Sequence, residues 1–244
     1  MKRLDAMNPK LGHSNSLRAQ MRLFAVMSII VLIATGILSQ SNVDLFQRFF
    51  GTFYPPAIIL VVACLGATAV WFLSMRTQFA MMVPGRWSRG LLFSTIVASL
   101  LVLPTILVDM MLPFSEDMNA ALPEALLFYP IMGYVVEITF HLVPLALLLG
   151  FAGRLSYRKD IMGFFWICAP LVATLEPGFQ VWAGWTDQGW SWQATYLSVH
   201  LFLFNLLQFY ALRQFGFVHM YLFRMVYYLH WHILWGTVRL SLIF

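Results

Sequence analysis

The feature that most constrains this chain is its rhythm: long apolar runs separated by short loops that carry most of the charge. A helix that crosses a hydrocarbon core needs about 20 mostly apolar residues, each adding ~1.5 Å. Runs of that kind occupy residues 23–39, 56–75, 91–114, 120–152, 161–183, 194–212 and 217–235. The expected fold is therefore all-α, a polytopic transmembrane bundle of about seven spans (six to eight). Residues 21–244 form one helical domain, preceded by a mobile basic cytoplasmic arm over residues 1–20 that holds Lys2, Arg3, Lys10 and Arg18.

Composition supports lipid as the main solvent. The 244 residues are 61% hydrophobic and 10% charged, against about 25% charged in a soluble domain. One soluble core of this length has too little interior to hide that much apolar surface. The net charge of +5 lies in loops, as membrane orientation requires, so nucleic acid is not an expected partner. Cys64 and Cys168 fall inside apolar runs and read as small buried hydrophobes, with no CxxC pair for redox or metal work.

Loop charges orient the spans. The N-terminal arm, the loop with Arg76, Arg86 and Arg89, the loop with Arg154, Arg158 and Lys159, and Arg213 fall on one side. The opposite loops carry Asp44 with Arg48, Glu116 with Asp117, and Asp187. This alternation predicts the N-terminus inside and the C-terminus outside, with Arg239 against the trend, in a membrane such as the bacterial inner membrane. Trp182, Trp185, Trp190 and Trp192 read as part of an interfacial aromatic belt.

Ionisable groups inside spans cost about 2.5–3.5 kcal/mol each on insertion scales, so they face a partner or a cavity. Asp109, Glu137, His141, Glu176, His200, Arg224, His230 and His232 are such groups. At ~1.5 Å per residue, Glu137, Glu176, His200, His230 and His232 all lie roughly 20–22 Å from the cytoplasmic end of their spans, a single expected layer. Glu137 and His141 are four apart and share a helix face, as do Arg224, Tyr228 and His232. His230 and His232 are two apart and point to nearly opposite faces, which excludes a chelating pair. Glu176 precedes Pro177 and Gly178, where the helix is expected to break, and Gln180 shares its face. Pro130 and Pro144 predict kinks in the fourth span. Asn205 and Gln208 suit helix–helix hydrogen bonds, and His219 reads as a hydrogen-bonded core residue.

The motifs Val-Val-Glu137-Ile-Thr-Phe-His141, Leu175-Glu176-Pro177-Gly178-Phe179-Gln180 and Tyr227-Tyr228-Leu229-His230-Trp231-His232-Ile233-Leu234-Trp235-Gly236 together resemble the CAAX-protease and bacteriocin-processing family of intramembrane peptidases. The first has one glutamate and a histidine where that family has paired glutamates and an arginine; the second lacks a histidine and the third an asparagine. The resemblance covers the second half of the chain. It implies catalysis by Glu137, His141, Glu176, His230 and His232, with Glu137 activating a water and His230 or His232 stabilising the oxyanion. It also implies a membrane-attached peptide substrate, with Arg224, Tyr228, Gln180, His200 and Asn205 expected to bind it. Neither HExxH nor GxSG occurs.

Two further classes fit the same residues. One is a transporter or channel with a midmembrane proton or cation site at the Glu176-Pro177-Gly178 break. The other is a scaffold subunit, alone or in an oligomer or larger complex, whose buried ion pairs only fix packing. Histidines paired across spans also leave a haem or metal open, so the cofactor is undetermined by sequence.

Overall fold

Long apolar runs without a nearby partner chain satisfy their backbone polar groups internally, as helices, and helices are what this chain forms. The computed structural model describes residues 9–77, 79–114, 119–155, 161–188 and 191–243, with side chains described from residue 17 onward except at 155, 161–162 and 183–188. Lys2, Arg3, Glu116, Asp117, Arg158, Lys159 and Trp190, and the side chains of Lys10, Trp185 and Asp187, lie outside the described residues.

In chain order the helices are α1 (Pro9–Ser41), α2 (Asp44–Phe50), α3 (Pro55–Arg76), α4 (Trp87–Met111), α5 (Ala125–Val136), α6 (Val143–Leu155), α7 (Phe165–Ala173), α8 (Leu175–Gln188), α9 (Trp192–Phe215), α10 (Phe217–Tyr228) and α11 (Gly236–Leu242). No strand occurs among the described residues. Helix α1 already begins at Pro9, within the basic arm. Among the described residues, five helical stretches are long and apolar enough to cross a membrane: Leu17–Ser41, Pro55–Arg76, Trp87–Met111, Ala125–Arg154 and Trp192–Phe215.

The bundle is inverted relative to a soluble protein, and this marks it as an integral membrane protein. Ile30, Val61, Leu92, Leu107 and Leu147 are exposed on its outside, whereas Asp109, Glu137, His141, Arg224 and Arg239 are buried inside. In water that arrangement would be ruinous; in lipid it is the low-energy one. Cys168 is buried as expected, but Cys64 is exposed, because α3 turns that face outward; in lipid an apolar thiol loses nothing there.

Two pairs of helices are joined through short π-helical segments, Glu137–Leu142 between α5 and α6 and Leu229–Trp235 between α10 and α11. Pro144 has no N–H to give to the carbonyl one turn back, and the first π segment lies directly before it. The break in the fifth apolar run falls at Thr174, just before Glu176, rather than at Pro177-Gly178. Pro177 sits in the first turn of α8, where a missing N–H costs nothing. Thr174 closes the end of α7 instead, its Oγ1 donating to the Leu171 carbonyl at 2.7 Å.

Several glycines permit close approach between elements, Gly66 and Gly216 among them. A side chain at Gly66 of α3 would overlap the Phe24 ring of α1 and Ile138 of the first π segment. Gly216, at φ +100°, lies between α9 and α10 against the carbonyl oxygens of Ala80 and Met81. Those carbonyls accept from the N–H groups of Phe217 (3.1 Å) and Val218 (2.9 Å), so the loop before α4 caps α10.

Candidate functional site

The apolar interior contains a charged cluster built from four elements. Glu137 and His141 come from the first π segment, Glu176 from the first turn of α8, Asn205 and Gln208 from α9, and Arg224 and Tyr228 from α10. Glu137, His141, Asn205 and Gln208 have no exposed surface, and Glu176 and Arg224 almost none.

Arg224 is the hub. Its Nε donates to Glu137 Oε1 at 2.6 Å, while Nη1 and Nη2 grip Glu176 Oε1 and Oε2, each at 2.8 Å. Nη1 also donates to the Tyr228 hydroxyl at 3.1 Å, and Nη2 to Gln208 Oε1 at 2.9 Å. The ring of Phe204 lies 5.1 Å from the guanidinium carbon and that of Tyr228 5.6 Å. A planar five-donor fork is the side chain suited to bridging two carboxylates, and a lysine has no equivalent geometry.

The amides complete the frame. Gln208 donates to Glu137 Oε1 and, at 3.2 Å, to the Met220 carbonyl. Asn205 donates to the Ala173 carbonyl at 3.2 Å, tying α9 to the end of α7. Both therefore do the helix-joining work expected of them, but as parts of the charged cluster.

Two residues of the cluster keep unused polar capacity. Glu137 Oε2 and both ring nitrogens of His141 are buried without a hydrogen-bond partner. His141 Nδ1 stands 3.4 Å from Glu137 Oε2, and Nε2 stands 3.7 Å from Glu176 Oε2. These separations exceed the ~2.7–3.2 Å of an N–H···O bond. An imidazole thus sits between two carboxylates at ionic rather than bonded distance. Glu137 Oε1 and both oxygens of Glu176 are held by Arg224, which leaves Glu137 Oε2 as the one carboxylate oxygen of the cluster without a hydrogen bond.

The residues expected to share a single layer do not form one group. His200 belongs to a separate group, its Nε2 3.0 Å from the Tyr227 hydroxyl and 3.3 Å from Thr105 Oγ1, with Tyr196 at 3.4 Å from Nδ1. His230 Nδ1 turns back to its own helix, 2.8 Å from the Val226 carbonyl. His232 Nδ1 faces Asn119 Oδ1 at 2.7 Å, and its ring stacks on Tyr129 at 4.4 Å. Gln180 is exposed: α8 turns inward at Glu176 and Pro177 and outward at residues 178–180, so sharing a face with Glu176 did not bring it to the cluster. Equal depth sets no rotation about the helix axis, and rotation decides which groups meet.

His232 nonetheless touches the hub's surroundings through Tyr228, whose ring lies 4.9 Å from it. His219 is a buried core residue, Nδ1 3.0 Å from the Phe215 carbonyl and Nε2 3.2 Å from that of Trp87. The imidazoles of His200, His219, His230 and His232 have separate partners, none shared with His141. No set of three or more His, Cys, Asp or Glu among the described residues is arranged to hold a metal.

Sequence reasoning missed a second buried ion pair. Arg239, read as an outlier of the loop-charge pattern, donates from Nε and Nη2 to Asp109 at 2.7 and 2.9 Å and to the Phe114 carbonyl at 2.8 Å. Asp109 also accepts from Trp235 Nε1 at 2.7 Å and the Phe114 N–H at 2.9 Å. The available signal was the charge of Asp109 itself, which demanded a cation. No protein family model, curated protein or solved structure matches the chain.

Proposed function

We propose that this protein is a glutamate-dependent intramembrane peptidase, or an inactive descendant of one, related to the CAAX-protease and bacteriocin-processing family. The chain crosses the membrane seven times with its N-terminus inside, the α7–α8 and α10–α11 stretches supplying the two interrupted crossings. The observation that carries the reading is the unpartnered face shared by Glu137 Oε2 and the His141 ring. Arg224 and Gln208 hold Glu137 by its other oxygen. A carboxylate fixed on one oxygen and free on the other is the arrangement a general base needs to orient and deprotonate a water.

Charge supports the same role. Two carboxylates against one guanidinium leave a net −1 with His141 neutral, so one proton on the Glu137–His141 face makes the cluster neutral. His141, beside Glu137 Oε2, stands where a proton taken from water can be passed on to a leaving amine. His230 has no part in this, since it bonds its own backbone. His232 acts at most through Tyr228. Access runs past the first turn of α8, where Thr174, Leu175 and Gly178 are exposed beside buried Glu176. A peptide anchored in the membrane approaches from that side.

The saturation of Arg224 favours a second reading, a scaffold in which the cluster only pins four helices together. One experiment separates them. Glu137→Gln and His141→Ala are compared with wild type for cleavage of membrane-anchored peptides in proteoliposomes, with thermal unfolding recorded in parallel. The peptidase reading expects cleavage by wild type and a loss of at least about a hundredfold in both variants. Absence of cleavage by wild type across a broad membrane-peptide library, with both variants merely less stable, leaves the scaffold.

A further inference from the structure

Away from the charged cluster, the C-terminal half of α3 and the length of α6 enclose a groove of about 680 Å³. This falls in the ~300–1,000 Å³ range of specific small-molecule sites. Its floor is made by Ala69, Ala146 and Gly150, where a side chain at position 150 would reach the Phe72 ring at 3.0 Å. Its rims, Trp71, Leu147 and Phe151, are 50%, 69% and 61% exposed, so the groove opens sideways toward lipid. One end alone is charged: Arg76, the last residue of α3, and Arg154, in the last turn of α6, both line it. Both guanidiniums are exposed, and neither has a carboxylate partner among the described residues.

We propose that this groove binds an anionic phospholipid, its phosphate between Arg76 and Arg154 and an acyl chain along the floor. The charge distribution selects this occupant. A neutral apolar ligand has no use for two cations at one end, and an anion without a chain has no use for the apolar length. The two helix C-termini repel an anion by themselves, so attraction depends on the arginines. Both arginines end helices that finish on the same side of the bundle, at headgroup level.

The test uses the full chain in zwitterionic phosphatidylcholine nanodiscs with trace spin-labelled phosphatidylglycerol or phosphatidylcholine, reading the motionally restricted fraction by electron spin resonance. Each interfacial arginine is worth about 1 kcal/mol toward anionic lipid, close to fivefold in association. Wild type should retain phosphatidylglycerol over phosphatidylcholine. The preference should drop about fivefold in Arg76→Gln or Arg154→Gln, and vanish in the pair. Leu147→Trp, at an exposed rim, should narrow the groove and release both lipids. An equal drop in Arg89→Gln, which lies in the first turn of α4 and outside the groove, would reduce the effect to general surface charge and overturn the proposal. Competition by free glycerol phosphate as strong as by the lipid would overturn it too, by showing that the groove adds nothing.

Discussion

At the scale of single residues, the interior of this protein is governed by the cost of burying charge without a partner. Asp109 and Arg239 make the clearest case, with at least five hydrogen bonds around one ion pair and no exposed surface on either residue. Removing one member strands the other, at a typical cost of about 3–5 kcal/mol, whereas removing both leaves no orphan charge. Asp109→Ala and Arg239→Ala should each destabilise more than a double Asp109→Leu, Arg239→Met replacement. Unfolding in mixed detergent reads the difference, and additive losses would show that the pair is not coupled. The same logic applies to Arg224. Arg224→Lys keeps the charge but cannot grip Glu176 by both oxygens and Glu137 together, so it should lose stability despite being isoelectric.

At the scale of elements, the charged cluster and helix irregularity coincide. The candidate base and its histidine lie in a π-helical segment, and Glu176 lies in the first turn after a helix break. A π turn widens the helix locally and changes the angle between successive side chains. Pro144 enforces this by withholding an N–H. Pro144→Ala should let residues 137–142 relax toward a regular α-helix, turning His141 away from Glu176. The expected outcome is loss of the proposed cleavage with little loss of thermal stability, since the mutation removes no buried contact of consequence. Retained cleavage would show that the π segment is incidental. The Gly216 joint tests the opposite case, a purely structural element. Gly216→Ala meets both an unfavourable φ and the Ala80 and Met81 carbonyls, so unfolding should come earlier by at least ~1 kcal/mol.

At the scale of the whole molecule, the inverted distribution of polarity defines the solvent. Isoleucines and leucines outside with arginines inside are stable only in a bilayer. The proposed seven crossings carry a prediction of their own. Reporter fusions after Phe244 should report the outside face, active as a secreted phosphatase and dark as a fluorescent protein that folds only inside. The reverse outcome would mean that α7–α8 or α10–α11 turns back within the membrane, making the crossing count even. Loop charge sets this expectation, because basic residues concentrate on the N-terminal side.

The membrane-embedded all-helical architecture was legible without any structure, because segment length and apolarity are local properties that lipid reads directly. So was the Glu137–His141 pairing, which needs only a helical repeat, and the presence of a break close to Glu176. The tertiary structure decided who meets whom. It brought Arg224 rather than His230 or His232 to the two glutamates, sent His200 to a tyrosine group, left Gln180 outside and gave Asp109 its partner in Arg239. Each of these depends on how a helix is rotated about its axis and which neighbour it packs on. Depth along the chain carries no record of either, so charge balance across helices becomes visible only when the bundle is assembled.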